Sequence, residues 1–115
     1  MKRILVALDS SERAPGVLAA ALRLAELTDV KLVVFRAHGD LERLVEGLPR
    51  DRIEKIITTF ATPWDGICTA GREQDADLIV LGSHHYSRLD QLLGTNAGKV
   101  VNRADRNVLV VRTVL

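Results

Sequence analysis

The sequence predicts a doubly wound α/β domain, a parallel sheet with helices packed on both faces. Three observations carry this prediction. Four short runs rich in Val, Ile and Leu lack clean alternation, as strands buried on both faces do. Helical segments separate them, which implies right-handed strand–helix–strand crossovers. Finally, the stretch ADLIVLGSHHYSRLDQLLGTNAGKVVNRADRNVLVVR, residues 76–112, reads as a buried strand, a glycine turn, a polar loop, a second glycine turn, a helix and another buried strand. Two glycine turns so placed lie at the carboxyl edge of a parallel sheet, where open α/β folds bind their ligands.

The interior strands are RILVAL at 3–8, KLVVFRA at 31–37, DLIVLG at 77–82 and NVLVVRTV at 107–114. EKIITTF at 54–60 mixes Thr with Ile and alternates more, which predicts an edge strand with one wetter face. After the first strand, Asp9-Ser10-Ser11-Glu12 offers capping side chains for a helix with Pro15 in its first turn. That helix places Val17, Ala21 and Leu24 on one face, with Leu18, Leu22 and Ala25 beside them. A short helix is predicted from about Asp40 to Leu48, ended near Gly47 and Pro49. A third runs from Pro63 to about Gln74, although Gly66 and Gly71 are poor helix formers. The last runs from about Asn96 to Arg103, with Ala97, Val100, Val101 and Ala104 facing inward.

The 115 residues suit one domain, residues 1–115, without a repeat, linker or low-complexity tract. A net charge of +1 gives no field that points to nucleic acid or an anionic membrane, and 3% aromatic residues leave no stacking platform for single strands. Cys68 is alone, which fits a reducing compartment, and its reading is a small buried hydrophobe. No signal peptide or membrane-crossing stretch is read, so a cytoplasmic location is expected. Trp64 is expected as a cap over the sheet or an interface contact.

The chain resembles the universal stress protein family over nearly its whole length. ILVALDSSERAPGVLAAALRLAEL is similar to that family's opening strand, aspartate turn and alanine-rich helix. ADLIVLGSHH and LLGTNAGKVVNRADRNVLVVR are similar to its closing half. The resemblance implies a flavodoxin-like sheet in the order 3-2-1-4-5. It also implies a crevice between the first and fourth strands that takes ATP or a related nucleotide, and a homodimer through the C-terminal strand, with Val108 and Val110 at the interface. The candidate nucleotide-binding residues are Ala7, Asp9, Ala37, Gly82, His84, His85, Gly94, Thr95 and Asn96. Nucleotide-binding members carry glycine, two residues, a second glycine, nine residues, then glycine with Ser or Thr. Here Gly82 and Gly94-Thr95 match, His85 stands in place of the second glycine, and only eight residues separate it from Gly94.

Each candidate also has a plainer reading. Gly82 lets the chain turn sharply off its strand, and Thr95 caps a helix whose free N–H groups suit a phosphate equally well. Asp9 is an N-cap or lies at the nucleoside end of the crevice, and Ala7 and Ala37 are strand packing or flank adenine. GTNAGKV fails as a phosphate loop, since three residues separate Gly94 from Gly98 and no Ser or Thr follows Lys99, which reads as a solvated helix residue. His38, His84 and His85 follow strands at one sheet edge, but their spacing is not that of a known zinc site and no metal is predicted. No catalytic set stands out, and Ser83 has no marked base. The reading is a stress-linked binding or regulatory protein and not an enzyme, with a nucleotide-free dimeric interaction protein as the alternative.

Overall fold

The computed structural model describes residues 1–9, 12–36, 47–58, 63–83 and 95–112. In chain order the elements are β1 (Arg3–Leu8), α1 (Ala14–Thr28), β2 (Lys31–Arg36), a 3-10 turn (Arg50–Arg52), β3 (Ile53–Thr58), α2 (Pro63–Glu73), β4 (Leu78–Ser83), α3 (Thr95–Arg103) and β5 (Asn107–Arg112). All four strand pairings are parallel, as the sequence predicts, and the sheet order is β3-β2-β1-β4-β5, as the family resemblance implies. The helix expected near Asp40 falls outside the described residues, as do positions 113–115.

Side-chain alternation divides the core in two. Ile4, Val6, Leu8, Leu32, Val34 and Val80 face α1, which covers them with Val17, Leu18, Ala21 and Ala25. Leu5, Val33, Phe35, Ile79 and Leu81 face the other way, beneath Ile67 and Ala70 of α2 and Ala97 and Val100 of α3. Ile4, Leu5, Leu32 and Ile79 are fully buried, and each such side chain withdraws about 1.5–3 kcal/mol of apolar surface from water.

The strand ends fall within one or two residues of the sequence expectation, β3 included. Leu32 faces Ile53 and Val33 faces Lys55, so Glu54 is an extra residue that kinks this edge strand. The four residues Glu54, Lys55, Ile56 and Thr58 are exposed, which is the wet character the Thr content implied.

Two expectations fail. The residue that caps α1 is Arg13, already in helical geometry and without a side-chain cap bond, so neither Asp9 nor Glu12 is the cap, and Ser10 and Ser11 lie outside the described residues. Pro15 sits within the first turn, where its missing N–H and preset φ locate the helix start without a capping side chain. Val101 is 44% exposed and does not face inward. α3 rests on its Ala97–Val100 ridge, half-buried Ala104 lies next along it, and Val101 turns away.

Helices α1 and α2 stop alike. Asp29 (φ 54°) and Asp75 (φ 50°) adopt the left-handed conformation, and the next residue's N–H reaches back into the last turn, Val30 to Ala25 O at 2.9 Å and Ala76 to Gly71 O at 3.0 Å. This is the paired-bond helix ending usually given to glycine. Gly71 itself lets α2 approach β4, because a Cβ there would lie 2.8 Å from Ile79 Cδ1.

Candidate functional site

The sheet opens at the point where its winding reverses. β1 pairs with β2 over all six residues, and β4 pairs with β5 over all six. Between β1 and β4 the pairing covers only Ile4–Val6 against Leu78–Val80. Beyond it the two halves part, with Ala7, Leu8 and Asp9 on one side and Leu81, Gly82 and Ser83 on the other. The parting lies at the carboxyl edge, between neighbouring strands whose connections leave in opposite directions. That is the position of ligand crevices in open α/β sheets. α1 begins beside it on one face and α3 on the other, so two helix N-termini bring their partial positive charge to the same edge.

The sequence-predicted residues divide as follows. Ala7 is buried in the core facing α2 and α3, immediately above the last β1–β4 pair. Asp9 is exposed at the end of β1. Thr95 opens α3, and Asn96 follows it, exposed, in the first turn. Ala37, His84, His85 and Gly94 lie outside the described residues, as does His38. The structure therefore brings Ala7, Asp9 and Gly82 to one edge with the start of α3.

Gly82 is not the turn residue the sequence suggested. It lies within β4, in register with Val111, and it is not among the positive-φ residues. Its requirement is steric, because a Cβ there would stand 2.7 Å from Val17 Cγ2 of α1. The glycine lets α1 settle onto the sheet beside the crevice.

Two polar residues at this edge were not among the predicted binding residues. Arg36 closes β2 and is only 8% exposed, on the α1 face opposite Leu8. Ser83 closes β4 and is 3% exposed, with its Oγ lacking a hydrogen-bond partner among the described residues. A signal was present for both, since each interrupts or ends an apolar run that otherwise calls for a hydrophobe.

The ion pairs described among these residues lie at the opposite, amino edge. Asp77 accepts the backbone N–H groups of Lys2 (2.5 Å) and Arg3 (2.8 Å), and these two bonds hold its carboxyl below the usual carboxylate range. Arg3 donates to Gln74 O at 2.7 Å and pairs with Glu54 at 2.6 Å. Arg106 donates to Ala76 O at 2.9 Å and grips Asp105 with two nitrogens at 2.9 and 3.1 Å, which likewise lowers the Asp105 pKa. These bonds clasp strand beginnings together; their place on the far side of the sheet makes them structural.

At the α2–α3 seam, Lys99 and Arg103 lie over the Trp64 ring, 5.3 and 4.9 Å from its centroid. Lys99 is thus half-buried against an aromatic face and not a freely solvated residue. Cys68, one turn beyond Trp64, is half-buried, and burial pushes its thiol pKa up, opposite to what a reactive thiolate needs. A groove of about 610 Å³ lies elsewhere, between β3 and α2, over Phe35 and Ile57 with Lys55, Asp65 and Glu73 at its rim.

Fold and edge geometry together define a doubly wound α/β domain with an opening at its topological switch point. The universal stress protein family matches residues 39–112, more than half of the chain, and the chain belongs to that family. Universal stress protein G of Salmonella typhimurium (strain LT2) is 45% identical over 58 residues, 50% of this chain and 41% of that one. The chain therefore aligns with less than half the length of that relative. Among solved structures, a universal stress protein in complex with cAMP superposes with TM-score 0.74 at 22% identity, covering 98% of both chains. The Archaeoglobus fulgidus universal stress protein in complex with dAMP gives TM-score 0.70 at 25% identity, covering 96% of this chain and 97% of that one. Among the described residues, no helix is long and apolar enough to cross a membrane.

Proposed function

We propose that this protein is a binding module, not a catalyst, that takes an adenine nucleotide of the AMP type, or ATP, in the opening between β1 and β4. The observation that carries the reading is the early end of β1–β4 pairing at the switch point. The start of α3 lies at the same edge, and the first N–H groups of a helix suit a phosphate. Similar folds are described in complex with cAMP and dAMP, which supports a nucleotide with a single phosphate at least as well as ATP. Asp9, Ala7, Ala37, Gly82, Gly94, Thr95 and Asn96 are the residues we assign to it, with His84 and His85 from the sequence between β4 and α3. Binding to the folded state then stabilises that state in proportion to ligand concentration. Calorimetric titration with AMP, cAMP and ATP tests this, alongside mass spectrometry of nucleotide released from the purified protein. Absence of both heat and released nucleotide rejects it.

A second reading has its own support. β5 is an edge strand whose Leu109 is 42% exposed, while Val108 and Val110 pack toward α3. An apolar edge of this kind pairs readily with a second copy. A homodimer through β5 that works as an interaction protein without a nucleotide is the alternative, and light scattering with the titration separates the two.

A further inference from the structure

We propose that the groove between β3 and α2 is a second binding site, for a small primary amine with an apolar body. It lies apart from the β1–β4 opening and does not depend on the nucleotide reading. The groove exists because two helices do not span five strands. On this face α2 packs over β1 and β2, and α3 over β4 and β5. Two helices side by side cover about 20 Å, whereas five strands at about 4.8 Å spacing occupy about 24 Å. β3 is left at the flank, and its half-buried Ile57 packs against the edge of this core. The opening has a volume of about 610 Å³, inside the range of about 300–1,000 Å³ found for small-molecule sites.

The middle of the groove is apolar, with Phe35, Ile57 and Ala70 along it, and its two ends differ in charge. Lys55 pairs with Val33 and Ile57 with Phe35, so Lys55 lies toward the amino edge of the sheet. α2 runs the opposite way. Asp65 is in its first turn, at the carboxyl edge, and Glu73 is its last residue, about 12 Å further along the axis. Lys55 and Glu73 therefore share one end and offset each other. The other end carries Asp65 and exposed Thr58, with Thr69 one turn along α2 on the same helix face, and no cation among the described lining residues. None of the three charged groups is in an ion pair among the described residues. A carboxylate and two hydroxyls present acceptors, and an ammonium carries three donors and no acceptor. The positive end of α2 offsets about half of the Asp65 charge, which leaves a net pull on a cation. Two carboxylates against one ammonium favour a ligand with a single positive charge. Its hydrocarbon or aryl body covers Phe35 and Ile57 and takes their apolar surface out of water.

The probe is 2-phenylethylamine, with 2-phenylethanol and 3-phenylpropanoate as its neutral and anionic counterparts. Each is titrated into the ¹⁵N-labelled full chain while amide chemical shifts are followed. The amine should move the amides of Ile57, Thr58, Thr69 and Ala70, and should bind about tenfold or more tightly than either counterpart. Asp65→Asn, at an exposed position, should lose about tenfold in amine affinity, as for one hydrogen bond to a charged group. Thr58→Lys supplies an ammonium at the same end from the chain itself and should abolish binding, which keeps the test decisive if Asp65→Asn disturbs the start of α2. Amide shifts that are absent at millimolar amine overturn the proposal, as do shifts confined to other parts of the chain. Equal binding of the alcohol or the carboxylate overturns it too, as does full affinity in Thr58→Lys. Displacement of the amine by AMP would place it in the β1–β4 opening and would likewise overturn the assignment.

Discussion

Gly82 packs its Cα against the side chain of Val17, so closely that a Cβ at position 82 would stand 2.7 Å from Val17 Cγ2. The contact ties β4 to α1 across the face opposite α3, next to the opening between β1 and β4. The same residue thus belongs to a candidate ligand site and to the packing that shapes it, so its loss affects both.

Gly82→Ala should destabilise the fold by about 1–3 kcal/mol, as overpacking of a tight interface does. Val17→Ala removes the methyl in the way. The double variant should therefore be more stable than the sum of the two single losses, with a coupling of at least about 0.5 kcal/mol. Urea titrations of the four proteins measure it, with Trp64, the single tryptophan, as the reporter. Strict additivity would show that α1 shifts freely and that Gly82 is there for another reason.

Acid stability should depend on the amino-edge clasp. Backbone N–H groups of Lys2 and Arg3 bond the Asp77 carboxylate, so its pKa in the folded chain lies below the unfolded value. Folding then favours the ionised form. That contribution is complete above the ordinary aspartate range, about pH 4, and is lost as pH falls through the lower folded value. Asp105, bonded by Arg106, adds to the same window. Asp77→Asn should therefore lower the urea midpoint at pH 7, and the gap to the native protein should narrow steadily below about pH 4. A gap that stays constant down to pH 3 would assign the effect to packing instead of charge.

Much of this fold is legible in the sequence because its interior strands are simple. RILVAL, KLVVFR and DLIVLG have cores buried on both faces, and a short unbroken apolar run rich in Val, Ile and Leu has few other uses in so short a chain. What is not legible depends on distant partners. Asp9–Glu12 looks like a helix cap because capping residues cluster there, yet Pro15 locates the start of α1 at Ala14. Val101 fits the inward stripe of α3 by spacing, but the short helix touches the sheet along one ridge only. The role of Gly82 is set by Val17 on another element, so local turn chemistry could not reveal it. Arg36 and Ser83 carry a signal of a different kind, a polar residue where the run demands a hydrophobe, but Arg36 reads as one residue inside KLVVFRA and Ser83, just past DLIVLG, is weighed only as a nucleophile.

Assembly through β5 has a direct measurement. Leu109 points away from the α2–α3 core, where Val108 and Val110 pack, and it is exposed in the single chain. Its replacement by Glu leaves the core contacts intact while placing a charge on the edge strand, which discourages pairing. The native protein should scatter light as a dimer, and Leu109→Glu should shift toward monomer without a large loss of melting temperature. A native monomer at high concentration would reject β5 as an interface.

The sequence between β4 and α3 sets the expected strength of nucleotide binding. His85 stands where nucleotide-binding members of the family carry a glycine, and eight residues, one fewer than theirs, then lead to Gly94. A glycine at such a position would admit a ribose or phosphate close to the backbone, and an imidazole would compete for that space. Native protein should therefore bind AMP or ATP weakly. His85→Gly removes the side chain but not the shortened span, so affinity should improve in part, by about tenfold for each 1.4 kcal/mol recovered. If the native protein instead binds tightly, and both His85→Gly and Thr95→Ala weaken it, the imidazole is a phosphate donor and not an obstruction. In that case binding should also strengthen as pH falls through about 6.5, where an unperturbed histidine gains its proton. If neither protein binds at any pH, the opening at the switch point is a packing feature of the fold, and the dimeric interaction protein is the reading that stands.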